Sequence, residues 1–385
     1  MLKFFSGAAS IGILFGIYNL ALIPYLRTIY NSTYTPAQLI TIGMLSVTIV
    51  NPIIGFLSDR LGKRSPFIFG LSITASLSLW GLTVPNKFVV SLSTIMLVMS
   101  TFSLLTPYSA LIGDYSSISE KDRNYGITVG IMSFATFATS LFLKSLYDRN
   151  PKITFQIISV AVIMFMLPTI LYARSRSTMH RDSQIKGSSN LISFVKKYRG
   201  LLVYFALQVA LWFSLGGLFP YLTSFLNVEI GMKIGEASIW IGLFTLLNGL
   251  FSIFTGIFSK KIGQRRLLFI SLLFVMGANG IIVFLYHQII HSAFSFPLVL
   301  TIFSIFGIFL GFVYALNSSL LSTMVLTSDQ GKAFGMSNTI VVITQAVSIG
   351  IMGYMIDVFG YRYMFLLVFS GLLISCICAL YLLSE

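Results

Sequence analysis

Apolar residues run through this chain in long blocks, broken at short intervals by clusters of polar and charged positions. Twelve such blocks are predicted to be membrane-crossing helices, at 5–28, 36–58, 66–84, 88–113, 125–147, 153–173, 201–226, 236–258, 266–286, 296–325, 334–357 and 361–383. Each is close to the ~20 residues that cross ~30 Å of hydrocarbon at 1.5 Å per residue. Within the blocks polar residues do not alternate with apolar ones at period two, so a β-barrel is not indicated, and helices satisfy their own backbone in lipid. The first block starts just after Lys3 and has full spanning length, which reads as a first membrane helix and not as a removed signal peptide.

Composition agrees: 56% of residues are hydrophobic, 9% are charged and the mean hydropathy is +0.90. A soluble domain cannot hide that much apolar surface behind its polar shell. The net charge of +14 could point to nucleic acid, but its placement points to topology. If the N-terminus and every second connection share one side, that side holds 18 of the 25 lysines and arginines. By the positive-inside rule both termini are cytoplasmic and the chain is a multi-pass protein of the cell membrane, with the lipid bilayer as its surroundings. No nucleic-acid partner is expected.

The main break in the pattern is a basic, Ser- and Gly-containing stretch after the sixth block. It divides the chain into an N-terminal six-helix bundle (1–174), a cytoplasmic linker (175–200) and a C-terminal six-helix bundle (201–385). Two motifs recur across that divide. GFLSDRLGKR at Gly55–Arg64 returns as GIFSKKIGQR at Gly256–Arg265, 201 residues later. SEKDRNYG at Ser119–Gly126 returns as SDQGKAFG at Ser328–Gly335, 209 residues later. The offset grows because the connection around His287–Phe296 is longer than its counterpart near Pro85, as a tolerated surface insertion would be. The expected fold is all-α, with twelve helices in two pseudo-symmetric bundles.

GFLSDRLGKRSPF resembles the loop signature of the major facilitator superfamily, G-x-L-x-D-R-x-G-R/K-R/K. The resemblance implies a cytoplasmic latch, in which Asp59 faces the positive end of span 11 near Gly335 and Ser337 in one state and releases it in another. Gly55, Arg60, Gly62 and Arg64 belong to that signature, Gly55 as a point of close helix approach and Gly62 as a turn; Asp114 and Arg123 lie at the same end. A solvated loop that only sets topology is the competing reading. In the second half Lys260 stands where Asp59 does in the first.

NPIIGFLSDRLGKRSPFI and TPYSALIGDY, the latter containing Tyr108, are similar to the glycoside–pentoside–hexuronide symporters and the sucrose transporters. That branch implies a sugar-like solute. Asn51 occupies the position of a coupling carboxylate in those symporters, which argues against sodium coupling.

Candidate substrate-binding positions are the polar and aromatic groups near the middles of spans, since each needs a partner in hydrocarbon. They are Tyr18, Asn19, Tyr108, Gln208, Trp212, Asn248, Tyr314, Asn317 and Gln345. Tyr204, Gln208 and Trp212 recur every four residues and share a helix face. Ser133, Thr136, Ser140 and Asn338 are read instead as contacts between helices. The candidate groups are amides, hydroxyls and rings, a lining suited to a small neutral solute. The acids at span ends, Asp114, Asp148 and Asp357 among them, are read as gate ion pairs, with Lys144, Arg149 or Arg362 as outer partners. A co-transported proton and simple facilitation both stay open. An exporter of amphipathic compounds on the same fold is the alternative function. Three histidines and scattered acids supply no metal cluster or catalytic set, and Cys376 and Cys378 sit in one apolar block, so an enzyme, a metal, a cofactor and a disulfide are not expected. A monomer is expected.

Overall fold

The computed structural model describes residues 2–61, 63–115, 121–175, 198–291, 295–325 and 330–384. Gly62 and most of the linker lie outside these residues, as do the side chains of Asp59, Asp114, Arg123 and Ser318.

The described residues form twelve spans. Span 1 comprises Leu2–Ile17, a π-helical turn Tyr18–Leu22, and Ile23–Tyr30. Spans 2 to 6 are Tyr34–Leu61, Ser65–Gly81, Lys87–Tyr115, Lys121–Leu146 and Pro151–Ser175. Spans 7 to 12 are Arg199–Val228, Ile234–Ile262, Gln264–Phe284, Ser295–Met324, Gln330–Phe359 and Tyr361–Ser384. Eleven of them are long and apolar enough to cross a bilayer; Ser65–Gly81 is shorter at 17 residues. Positive φ at Asn31 (53°), Gly263 (92°) and Gly360 (87°) ends spans 1, 8 and 11, where an L side chain is disfavoured and Asn or Gly is tolerated. The longer connection before span 10 carries a short helix, Tyr286–His291.

Packing repeats with the sequence. Span 1 packs on spans 5 and 6, span 4 on spans 2 and 3, and span 3 on span 6. Adding six to each number gives the second half: span 7 on 11 and 12, span 10 on 8 and 9, and span 9 on 12. The two halves meet along spans 2 and 11 and along spans 5 and 8, a pair of contacts that the same operation exchanges. The chain is thus two pseudo-symmetric six-helix bundles.

Candidate functional site

The end of the molecule bearing the lysine- and arginine-poor connections, the outer end by the positive-inside expectation, carries two matching contacts between the halves. Asp357 at the end of span 11 accepts the backbone N–H groups of Thr33 (2.9 Å) and Tyr34 (2.9 Å) and the Ser32 hydroxyl (2.6 Å), at the start of span 2. Asp148, just beyond span 5, accepts the N–H of Gly235 at the start of span 8 (3.1 Å). In both, a carboxylate meets the unpaired donors and positive dipole of a helix N-terminus. Tyr34 and Gly235 are 201 residues apart and Asp148 and Asp357 are 209 apart, the offsets of the two sequence repeats. The expected gate ion pair between Asp357 and a base is replaced by this capping contact, and Arg362 lies instead 3.5 Å from His287. Further inter-half contacts at this end run from Thr41 Oγ1–H to the Ala346 carbonyl (3.0 Å) and from Arg27 to Tyr361 Oη (3.4 Å).

Toward the other end the halves part. A Cβ added at Gly353 of span 11 would strike Ala37 of span 2, and one at Gly350 would lie tight against Thr41. At Gly335 of span 11 and Gly55 of span 2 it would meet nothing within 4 Å. The close helix approach expected at Gly55 is therefore absent, because spans 2 and 11 have already diverged there. Spans 5 and 8 do the same: Gly242 and Gly249 press on Ser140 and Ser133, whereas Gly256, one heptad further, faces open space. Arg64 is held locally, donating to Ser58 Oγ, which donates to the Gly55 carbonyl; Arg60 is exposed.

Between the halves lies a cavity of about 600 Å³. Phe15, Tyr18 and Asn19 enter it from span 1, Met44 and Asn51 from span 2, and Phe102, Leu105, Thr106 and Ser109 from span 4. The second half contributes Trp212, Gly216 and Phe219 from span 7, Tyr314 from span 10, and Asn338, Val341, Val342 and Gln345 from span 11. Among the described residues, none that lines the cavity carries a formal charge. Trp212 and Tyr314 stack at 5.4 Å and 23°, forming one aromatic wall, and Phe102 stands edge-on to Phe15 and Tyr18 in the other half. The Tyr18 hydroxyl and Asn51 Oδ1 are buried with no hydrogen-bond partner among the described residues.

Of the sequence candidates, Tyr18, Asn19, Trp212, Tyr314 and Gln345 line the cavity. Four do not. Tyr108 is fully buried against Gly7 and Ala8 of span 1. Asn248 lies where span 8 meets Gly311 of span 10. Gln208 and Asn317 stand behind the aromatic wall as a reciprocal amide pair: Gln208 Nε2–H donates to Asn317 Oδ1, and Asn317 Nδ2–H donates to Gln208 Oε1 (2.9 Å). The same Oε1 accepts the Trp212 indole N–H at 2.9 Å. Both lone-pair directions of that oxygen are then engaged, so Gln208 braces the ring and has little left to offer a solute. Tyr204 continues the network, donating to the Asn317 carbonyl (3.2 Å) and hydrogen-bonding Ser337.

Asn338, read as a contact between helices, instead lines the cavity. Thr136 does join helices, donating to the Gly12 carbonyl (2.9 Å). The sequence reading missed Phe15, Phe102, Phe219 and the apolar positions of spans 2, 4 and 11, because an apolar residue facing a cavity looks like one facing lipid. Asn51 could have been found: it is a polar residue deep in span 2, immediately before Pro52.

A family model described as Major Facilitator Superfamily matches residues 4–233 and, a second time, residues 204–385. The chain belongs to the major facilitator superfamily. The double match is what the repeated packing leads one to expect of this superfamily's fold. The chain is similar in structure to a mutant of the nucleoside transporter NupG (TM-score 0.79, 12% identity, 99% of each chain covered). It is also similar to a bacterial homolog of the human lysosomal transporter Spinster (0.77, 15% identity, covering 99% of this chain and 95% of that one). A third similar structure is the POT family transporter PepTSo (0.79, 13% identity, covering 100% and 97%). No curated protein matches the chain in sequence. Superfamily and structural neighbours alike are transporters, not enzymes.

Proposed function

We propose that this superfamily member is a secondary transporter carrying a small, neutral, polar organic solute across the cell membrane by alternating access. The observation that carries the reading is the central cavity, walled by both halves with amides, hydroxyls and aromatic rings and bearing no formal charge among the described residues. Its volume of about 600 Å³ lies within the ~300–1,000 Å³ common for small-molecule sites. Amides offer paired donors and acceptors to hydroxyl groups, and the Trp212–Tyr314 wall covers C–H faces, which favours a sugar-like solute. The short resemblance to the sugar-transporting branch points the same way. Transport is proton-coupled or facilitative; facilitation is favoured by the engagement of Asp148 and Asp357 at the outer end, away from the cavity. Both termini and the linker are assigned to the cytoplasm by lysine and arginine placement, and the chain works as a monomer.

Export of amphipathic compounds is the second reading, favoured by Phe15, Phe102, Phe219 and the valines of span 11 in the same lining. Thermal-shift screening of the purified chain, followed by counterflow in proteoliposomes, separates the two. The panel is glucose, sucrose, uridine, a dipeptide and tetraphenylphosphonium; uridine is included because a nucleoside is neutral and hydroxyl-bearing and NupG is a nucleoside transporter. Stabilisation and saturable counterflow with a sugar or nucleoside, indifferent to tetraphenylphosphonium, supports the first reading. A response to the lipophilic cation alone would overturn it.

A further inference from the structure

Span 1 changes register inside the membrane: Tyr18–Leu22 is a π turn, with ordinary helical dihedrals at Ile17 (−61°, −46°) and Ile23 (−64°, −49°). In such a turn the i→i−5 bonds tie the N–H groups of 22 and 23 to the carbonyls of 17 and 18. The α ladder then resumes with the N–H of 25 on the carbonyl of 21. The N–H left to serve position 19 or 20 would come from residue 24, and residue 24 is Pro24, which has none. A π turn by itself leaves one of these two carbonyls without a backbone donor, and Pro24 withholds the donor of the other, so the pattern leaves both Asn19 and Leu20 carbonyls bare. Leu20 is wholly buried. A buried carbonyl needs a partner, the more so in a membrane.

Both are approached by hydroxyls of the opposite half. Thr223 Oγ1 of span 7 lies 3.5 Å from the Asn19 carbonyl, and Ser238 Oγ of span 8 lies 3.5 Å from the Leu20 carbonyl. Ser238 also donates to its own helix at Ile234 (2.7 Å), so its proton is shared. Just before these carbonyls, Tyr18 lines the cavity at 5% exposure with its hydroxyl unpartnered, and Asn19 lines it too. One turn of chain thus belongs to the cavity wall and to the junction between halves.

We propose that Pro24 is a positioning residue for transport: by withholding a backbone donor it docks the Tyr18–Asn19 corner of the cavity onto spans 7 and 8, so that this wall and the outer seal move as one unit. The proposal rests on the carrier reading for its consequence, since opening the outer end strips both carbonyls of their hydroxyls and re-aims Tyr18 and Asn19. The junction itself needs no solute to be measured.

The test uses the full chain in nanodiscs with Cys376 and Cys378 replaced by alanine. Spin labels go on Asn150→Cys and Lys233→Cys, two exposed positions flanking the Asp148–Gly235 contact. Electron–electron double resonance reads the distance distribution. Pro24→Ala supplies one N–H, which serves the Leu20 carbonyl and makes the Ser238 contact dispensable, while the Asn19 carbonyl keeps Thr223. It is expected to raise the ratio of outer-open to outer-closed molecules about ten-fold, equivalent to ~1.4 kcal/mol. Ser238→Ala moves the ratio in the same direction and has no further effect in the Pro24→Ala background, because the new N–H already serves Leu20. A Pro24→Ala distribution identical to wild type, or additive effects of the two changes, overturns the proposal. Should Pro24→Ala fail to fold, the Thr223→Val/Ser238→Ala double variant must open the seal, and an unchanged distribution overturns it equally. Failure of the carrier reading would appear separately, as an absence of counterflow while the variants still shift the spin-label distances as expected.

Discussion

Replacing Gln208 by leucine tests whether this side chain braces the cavity wall or touches solute itself. The change keeps most of the volume and removes three hydrogen bonds: one from the Trp212 indole, one from Asn317 Nδ2, and one to Asn317 Oδ1. Gln208 is fully buried and Asn317 is 7% exposed, so both ends of the Asn317 amide are left unsatisfied. An orphaned buried group costs about 1–3 kcal/mol in soluble proteins. In membranes polar pairs average nearer ~0.6 kcal/mol, because the unfolded chain in the bilayer also finds partners. Two orphans then give a loss of about 1–6 kcal/mol. Removing both amides, in Gln208→Leu/Asn317→Leu, leaves no orphan in the pair, and most of that loss should return. The indole N–H still has no acceptor in the double variant. Stability and ring order must therefore separate. Thermal unfolding in nanodiscs reads the first. Time-resolved fluorescence anisotropy of Trp212, with Trp80 and Trp240 replaced by phenylalanine, reads the second. The expected pattern is a destabilised single variant, a largely restored double variant, and a faster-moving indole in both. An unchanged Trp212 anisotropy, or a double variant less stable than the single, would refute the bracing argument.

Other outcomes follow from the same contacts. Asp357→Ala removes the acceptor for Ser32, Thr33 and Tyr34, and thiol labelling of a cysteine placed at the outer end should accelerate several-fold; an unaltered rate would leave Asp357 without a role in the seal. Gly242→Val drives a side chain into Ser140 and should prevent correct folding, detected as loss of the monodisperse peak in size-exclusion chromatography. Gly256→Val meets open space in this state and should fold normally, yet slow counterflow if spans 5 and 8 close along their full length during transport; full-rate counterflow would show that they do not. Asp59→Asn should lower turnover while insertion and folding stay intact, and undiminished uptake would remove the proposed latch. Trp212→Ala should weaken solute binding by about ten-fold, as the loss of one aromatic face is worth roughly 1 kcal/mol or more; unchanged affinity would place the solute elsewhere.

The packing also says how this structure divides its work. At the outer end two carboxylates cap two helix N-termini across the interface, whereas toward the other end Gly55, Gly256 and Gly335 face open space. In the proposed alternating-access carrier, carboxylate-to-helix contacts would make a suitable seal. They need no long, flexible basic side chain to be ordered, and each can be exchanged for water when the ends separate.

Much of this was legible in the chain itself. Solvent chemistry decided it: hydrocarbon accepts only backbone that satisfies its own hydrogen bonds, so the long apolar blocks had to be helices, and the lysine and arginine breaks had to be their connections. The repeat at offsets of 201 and 209 carried the duplication, and the loop signature carried the superfamily. Which face of each helix meets the cavity was not legible. Lipid is as apolar as a helix neighbour, so the hydrophobic pattern that marks the inside of a soluble protein does not mark the inside of this one. Gln208 and Trp212 share a face of span 7, yet Trp212 reaches the cavity and Gln208 is spent on Asn317, a partner 109 residues away. The same holds for Asp148 and Asp357, whose partners are backbone N–H groups that no residue type announces, and for Pro24, whose missing donor matters only because hydroxyls from the other half come to rest beside the carbonyls that it and the π turn leave bare.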